Sequence, residues 1–148
     1  MTVKLIKAAR VHFPGGKRVD AAVGDHVIRT DQSQEHGGEG SAPEPFDLFL
    51  GSLATCAGVY VLGFCQARGI STDGLWLSQD SSFEDGKLRE VRLAVHVPET
   101  FPEKYLGAIR VAAGSCRVKK ALAEPPQITV DVEREPIGEG SPVADHRL

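Results

Sequence analysis

Residues 45–69, PFDLFLGSLATCAGVYVLGFCQARG, are apolar or small at almost every position. Pro45 suits the first turn of a helix, where its missing N–H costs nothing, and Asp47 would place a negative charge at the favourable end of the helix dipole. Gly69 is well placed to cap the C-terminus. The stretch therefore predicts a helix from Pro45 to Arg68 that is buried nearly all round, at the centre of a fold or of a dimer.

A helix of this length and composition could also cross a membrane, which requires about 20 apolar residues. Asp47, Gln66, Arg68 and the three glycines within the predicted helix argue against that interpretation. The first residues, MTVKLIK, lack the apolar run of a secretory signal. We therefore expect a cytoplasmic protein that does not bind a membrane.

Length and charge narrow the possibilities further. A chain of 148 residues is long enough for one domain with a real core and too short for two domains of usual size. The 17 basic and 20 acidic residues give a net charge of −3, and no basic run is long enough for a nucleic-acid groove. We expect a single domain over residues 1–135, a loose tail over residues 136–148, and no nucleic-acid partner.

The segments around the helix alternate between strand and helix patterns, so the predicted class is α+β with the order βββ-α-ββ-αα-β. The loop over residues 31–45 is polar and glycine-rich. The predicted strands are Val3–Phe13, Arg18–Val23, Val27–Arg29, Leu75–Gln79, Leu88–Val97 and a last one through Ile128, Val130 and Val132; the further helices are Pro102–Ala113 and Cys116–Ala123.

Two of the three cysteines lie in frames that suit reactive thiols. Cys56 lies within the long helix, and Cys116 opens the basic run Cys116–Lys120. Neighbouring cations and helix N-termini favour the thiolate, which is the reactive form, although free cysteines also pack as small apolar side chains. Cys65 is nine residues after Cys56 on one helix, on nearly the opposite face at about 100° per residue. Those two thiols cannot bridge within a chain, so Cys65 is interpreted as a packing residue, with a contact across a dimer as the alternative.

No cofactor or metal motif is present. The five histidines show no ligand spacing, and the Gly37-Gly38-Glu39-Gly40 loop lacks the Lys-Ser/Thr and the preceding strand of a phosphate-binding loop. An odd number of cysteines in a reducing compartment also argues against a disulfide framework. We therefore expect no cofactor or metal, and the cysteines are left as catalytic, redox-sensing or merely packed thiols.

The element order and three motifs together resemble the OsmC/Ohr family, whose names stand for osmotically inducible protein C and organic hydroperoxide resistance. The motifs are Gly37-Gly38, the helix entry Ala42–Leu48 leading to Cys56, and Ser115-Cys116-Arg117-Val118. The resemblance covers the chain up to about Glu135. It implies an intertwined homodimer in which long central helices are wrapped by antiparallel sheets, and a thiol-dependent reduction of organic hydroperoxides in oxidative stress defence.

The resemblance also implies roles for individual residues. Cys56 would attack the peroxide and become a sulfenic acid, and Cys116 would condense with it to a disulfide that a dithiol, possibly lipoyl, then reduces. An arginine from the first strands would pair with the thiolate; Arg18 is the best match, with Arg10 and Arg29 as rivals. Asp47 is the candidate acid to hold that arginine, and Glu44 is the alternative.

The chain departs from the best-defined peroxidase branch of the family at two positions. Phe46 stands where that branch has a glutamate, and Arg117 stands where the family often has proline. The first departure leaves the acid that partners the arginine open. Two hypotheses therefore remain: a cysteine-based peroxidase, or a non-catalytic dimer of the same fold that binds a small apolar or thiol-reactive ligand near Cys56.

Overall fold

The computed structural model describes residues 9–134. They form an α+β fold with five strands and three α-helices, plus short 3₁₀ helices at Gln34–His36 and Glu103–Tyr105. In chain order the elements are β1 Ala9–Gly15, β2 Arg18–Val23, β3 His26–Ile28, α1 Pro45–Gln66, β4 Trp76–Glu84, β5 Lys87–His96, α2 Leu106–Gly114 and α3 Arg117–Ala123. The described chain divides into two compact units, residues 9–48 with 129–134, and Phe49–Ile128.

The first unit contains an antiparallel meander in the order β1-β2-β3. The predicted second and third strands are confirmed within one or two residues, and the part of the first predicted strand before residue 9 lies outside the described residues. Asp20 in β2 is buried, and its carboxylate accepts a hydrogen bond from the backbone N–H of Thr30 at 3.3 Å. The Thr30 hydroxyl donates to the carbonyl of Val19, so the chain leaving β3 is fastened to β2.

Helix α1 begins and ends with recognisable caps. The Asp47 carboxylate accepts from the Glu44 N–H at 3.2 Å while the Asp47 N–H donates to the Glu44 carbonyl at 3.0 Å, so the first turn closes on itself. At the other end Gly69 has a φ of +64°, a left-handed conformation that glycine adopts without a Cβ penalty. The Ile70 N–H then donates to the Cys65 carbonyl and the Gly69 N–H to that of Gln66, which is the Schellman arrangement. The predicted glycine cap is confirmed.

The prediction that α1 is buried nearly all round is wrong for the single chain. Its buried residues are Leu53, Ala57, Val61, Phe64 and Cys65, which recur every three or four positions and so form one stripe. Val59, Tyr60 and Leu62 are 64%, 38% and 42% exposed. A helix that is apolar at almost every position can still have only one face buried by the rest of its own chain. By length and composition α1 could cross a membrane, a property it shares with core helices of soluble proteins.

In the second unit β4 and β5 form an antiparallel hairpin around a two-residue turn at Asp85-Gly86. The register places Leu77 opposite Val95 and Gln79 opposite Leu93, and Leu77, Val95 and Leu93 pack against the buried residues of the unit. The main buried cluster joins α1, through Val61, Phe64 and Cys65, to α2, through Ile109 and Ala113, with Phe101 between them. The predicted hairpin is therefore confirmed, and it covers the buried stripe of the second unit.

Two other predicted elements differ in the structure. Residues 103–105 are a 3₁₀ helix, so α2 begins at Leu106 rather than Pro102. The predicted last strand is wrong for the described chain: residues 125–134 form no sheet, and Ile128, Val130 and Val132 are 82%, 88% and 94% exposed. The alternation of apolar residues is that of a strand, but no described edge pairs with it. The predicted loose tail at residues 136–148 lies outside the described residues.

Candidate functional site

Cys116 is the N-cap residue of α3 and is completely buried. Its Sγ atom accepts a hydrogen bond from the backbone N–H of Lys119 at 3.3 Å. The first N–H groups of a helix have no partner within the helix, so a side chain at the cap can satisfy one of them. Cys116 thus directs its sulfur at a helix N-terminus, as the sequence frame predicted when it placed this thiol at the start of a short basic helix.

Cys56 lies in α1 and is only partly buried. It packs against a cluster whose buried members are Leu53, Ala57 and Cys116. The structure therefore brings the two predicted reactive thiols together in one apolar cluster, although 60 positions of sequence separate them. Of these two thiols, solvent reaches Cys56, and Cys116 is buried.

Cys65 belongs to the other cluster, between α1 and α2. Burial raises the pKa of its thiol above the ordinary value, and the positive charge of Arg68 offsets part of that rise. The guanidinium of Arg68 stacks over the ring of Phe64 at 3.8 Å, so it helps to close this end of the core. Cys65 lies among packed apolar side chains, in agreement with its interpretation as a packing residue.

The candidate arginines all lie in the first unit and are exposed: Arg10 in β1, Arg18 at the start of β2, and Arg29 directly after β3. Arg18 bends over its own turn, where its Nε–H donates to the carbonyl of Gly15 at 3.3 Å. None of the three makes an ion pair with a described carboxylate. Their positive charges are therefore not neutralised by a described carboxylate.

The two candidate acids differ in what already occupies them. The Glu44 carboxylate accepts from the Ser33 N–H and pairs with His36 Nδ1, both at 2.8 Å. These bonds lower the pKa of Glu44 to about 2, and the same carboxylate raises the pKa of His36. Asp47 is exposed and bonds through one oxygen, to the Glu44 N–H at the helix start. Both bonds to Glu44 fall on its Oε1 atom, so each acid has one oxygen with no described partner, and Glu44 differs from Asp47 in being paired with His36.

Asp31 organises the loop over residues 31–44, a role that the sequence reasoning missed. Its carboxylate is 1% exposed and accepts from the Gln32 N–H, the Glu39 N–H, and both the N–H and the hydroxyl of Ser41. These donors, led by Ser41, hold its pKa at about 2. An Asp at the start of a Gly- and Ser-rich segment is a recognised signal for side-chain capping of a turn, and it was available in the sequence.

Gly38 explains part of the Gly37-Gly38 motif. A Cβ atom built on Gly38 would lie 2.0 Å from the carbonyl oxygen of Gln32 and 2.9 Å from the Asp31 carboxylate. Only glycine fits such a close approach of two backbone segments. The Gly37-Gly38 motif is therefore explained in part by the packing of this loop.

Within residues 9–134, no group of three or more His, Cys, Asp or Glu side chains is arranged to hold a metal ion.

Comparison with solved structures identifies the fold. A putative osmotic stress induced and detoxification response protein from Psychrobacter arcticus 273-4 is 22% identical, with a TM-score of 0.68 over 82% of this chain and 91% of that one. An OsmC like protein from Mycoplasma pneumoniae is 18% identical, with a TM-score of 0.64 over 83% and 89%. A putative organic hydroperoxide resistance protein from Vibrio cholerae, with captopril bound in one of its active sites, is 19% identical, with a TM-score of 0.57 over 82% and 88%. These similarities define an OsmC-type α+β fold.

The sequence itself matches the family model described as OsmC-like protein over residues 38–131. The chain therefore belongs to the OsmC/Ohr family, as its motifs indicated. A comparison with curated proteins found no relative of significant similarity.

Proposed function

We propose that this protein is a thiol peroxidase, an oxidoreductase that reduces organic hydroperoxides in the cytoplasm during oxidative stress. The observation that supports the proposal most strongly is the placement of Cys56 and Cys116 in one apolar cluster. Their unequal burial supports the proposed roles, in which the partly exposed Cys56 reacts with the substrate and the buried Cys116 resolves the product. An apolar surrounding also suits the organic part of the substrate.

The chemistry has one oxidation by the peroxide, one condensation of the two sulfurs and one reduction by a dithiol. The Cys56 thiolate attacks the terminal peroxide oxygen; the O–O bond breaks, and the alcohol leaves with a proton from solvent, so Cys56 becomes a sulfenic acid. The Cys116 thiol then attacks the Cys56 sulfur, forming the S–S bond and releasing water. A dithiol such as a lipoyl group returns both cysteines to thiols by exchange and is itself oxidised to a disulfide.

Counting thiols after addition of cumene hydroperoxide tests this proposal. The reduced protein should lose two free thiols per chain, form cumyl alcohol, and turn over when a dithiol is supplied. Cys65→Ser is the matched control and should behave like the wild type in this assay. Cys56→Ser should lose no thiol to stoichiometric peroxide, and loss of two thiols from that variant would contradict the assigned roles.

Arg18 is proposed as the cation that stabilises the Cys56 thiolate, and Asp47 as the acid that orients Arg18. The proposal comes from the family resemblance. It is compatible with the lack of a described ion pair at Arg18 and with the oxygen of Asp47 that has no described partner. Glu44 is the weaker candidate, because its Oε1 atom already pairs with His36 and accepts from Ser33, whereas Asp47 makes one hydrogen bond, at the helix start.

A homodimer is proposed as the working assembly. The exposed apolar side chains of α1, Val59, Tyr60 and Leu62, would meet a second copy, and the strand-like segment through Ile128 and Val130 would find an edge to pair with. Light scattering at micromolar concentration should give twice the chain mass. Val59→Lys should shift the protein toward monomer, and a monomeric wild type would contradict the assembly.

The second candidate function is a dimer that binds a small ligand near Cys56 without turnover. Phe46, in place of the acid of the peroxidase branch, favours it, as does the captopril bound in an active site of the Vibrio cholerae protein. The thiol count separates the two functions. A ligand-binding protein would keep its thiols, or lose one to a thiol-reactive ligand, and would not turn over with a dithiol.

A further inference from the structure

The second unit contains a cavity of about 650 Å³ between β5, α2 and α3, and Cys56 does not line it. Its floor and walls are aliphatic, including Leu53, Val91, Leu93 and Ile109. Leu106 on α2 and Leu122 on α3 also line it, and they are 45% and 47% exposed, so they mark its open rim. The volume lies within the usual range of small-molecule sites, about 300–1,000 Å³.

The charged groups of the lining are of one sign. Arg110 and Lys119 line the cavity, and no Asp or Glu does. Both side chains are exposed, and neither forms an ion pair with a carboxylate among residues 9–134. The Lys119 ammonium lies 3.5 Å from where a Cβ atom on Gly114 would be, so it lies beside a residue that lines the cavity.

We infer that this cavity binds an anionic amphiphile, an aliphatic chain that ends in a carboxylate, with the chain among the aliphatic side chains and the carboxylate between Arg110 and Lys119. An aliphatic lining gains free energy from each methylene that leaves water. Two cations with no described acidic partner select a negative head group. If a methylene takes about the volume of a water molecule, ~30 Å³, a ten-carbon chain fills roughly half of the cavity.

This site is separate from the proposed peroxidase and does not depend on it. The ligand needs no thiol, so Cys56→Ser should bind it as the wild type does. The backbone of Lys119 donates to the Cys116 sulfur, so the site and the resolving thiol share the first turn of α3. Failure of the peroxidase assay would leave the binding result unaffected, and failure of binding would leave the peroxidase proposal intact.

Calorimetric titration of the full chain with octanoate, decanoate and decyltrimethylammonium tests the inference. Decanoate should bind about fifteenfold more tightly than octanoate, because each buried methylene contributes about fourfold. The cationic amphiphile should bind much more weakly than decanoate. Equal binding of decanoate and decyltrimethylammonium would overturn the inference. No binding of decanoate would also overturn it, including the case in which a second copy of the chain fills the cavity.

Surface variants locate the site without risk to the core. Arg110→Gln and Lys119→Gln should each weaken decanoate binding by up to about fivefold, with Lys120→Gln, an exposed cation on α3 outside the lining, as control. Leu122→Glu should weaken the binding of decanoate and strengthen the binding of decyltrimethylammonium. Val111→Glu is the control, because Val111 is exposed and lies outside the lining. Equal effects of the cavity variants and their controls would overturn the assignment.

Discussion

Replacing Gly38 by Ala should destabilise the protein through a backbone collision. The new Cβ atom would lie 2.0 Å from the Gln32 carbonyl oxygen, about 1 Å closer than Cβ atoms come in practice. That oxygen accepts the Gly40 N–H at 3.0 Å, so it cannot retreat without loosening a hydrogen bond. Overpacking costs about 1–3 kcal/mol. A hydrogen bond contributes about 0.5–1.5 kcal/mol. The expected loss in free energy of unfolding is therefore about 2–4 kcal/mol.

Urea denaturation at a fixed protein concentration measures this loss. Gly107→Ala is the control, because Gly107 lies in α2 with nothing within 4 Å of a Cβ atom. The same substitution there should stabilise by about 0.5–1 kcal/mol, since alanine is the better helix former. The two substitutions should thus change the free energy of unfolding in opposite directions. A Gly38→Ala protein as stable as the wild type would refute the packing assigned to the Gly37-Gly38 motif.

Three further predictions concern single charged residues. Because the pKa of Asp31 falls from its ordinary 3.8 to about 2 on folding, its contribution to stability is complete above about pH 4 and is lost as the pH falls toward 2; Asp31→Asn should flatten this part of the denaturation profile. Arg18→Ala should move the midpoint of iodoacetamide alkylation of Cys56 to higher pH by about one unit, while Arg10→Ala and Arg29→Ala leave it unchanged. Asp47→Asn should slow the same alkylation; a loss of about 0.3–1 kcal/mol in stability with unchanged alkylation would limit Asp47 to the helix start.

Most of the elements could be predicted because their signals are local. The two-residue turn at Asp85-Gly86 and the Gly69 cap depend on the backbone preferences of one or two residues. Those signals specify where a strand turns or a helix stops, whatever the rest of the chain does. The same holds for the start of α3, where Cys116 is the cap residue.

The burial of α1 and the last strand could not be predicted in this way. The apolar run of α1 does not say whether Val59 and Leu62 meet the same chain or another. The alternation of Ile128, Val130 and Val132 likewise specifies two faces but not a partner edge. Both features depend on what lies opposite in space, and a pattern along one segment does not contain that information.

The candidate site was predictable in part for the same reason. The frames around Cys56 and Cys116 are local, and the family motifs singled out both thiols before the fold was known. The cluster of Asp31, Ser41 and Gly38 depends on a loop folding back on itself, and the Arg110–Lys119 cavity depends on the packing of three elements. No spacing of residues in the sequence predicts either arrangement.

Peptide mapping of the oxidised protein tests the central claim most directly. The reduced chain is treated with one equivalent of cumene hydroperoxide, blocked with iodoacetamide, digested without reductant and analysed by mass spectrometry. The account predicts one disulfide-linked peptide pair that joins Cys56 to Cys116 within a chain, with Cys65 recovered in its alkylated form. A principal disulfide that contains Cys65, or full alkylation of both Cys56 and Cys116 after peroxide, would contradict it.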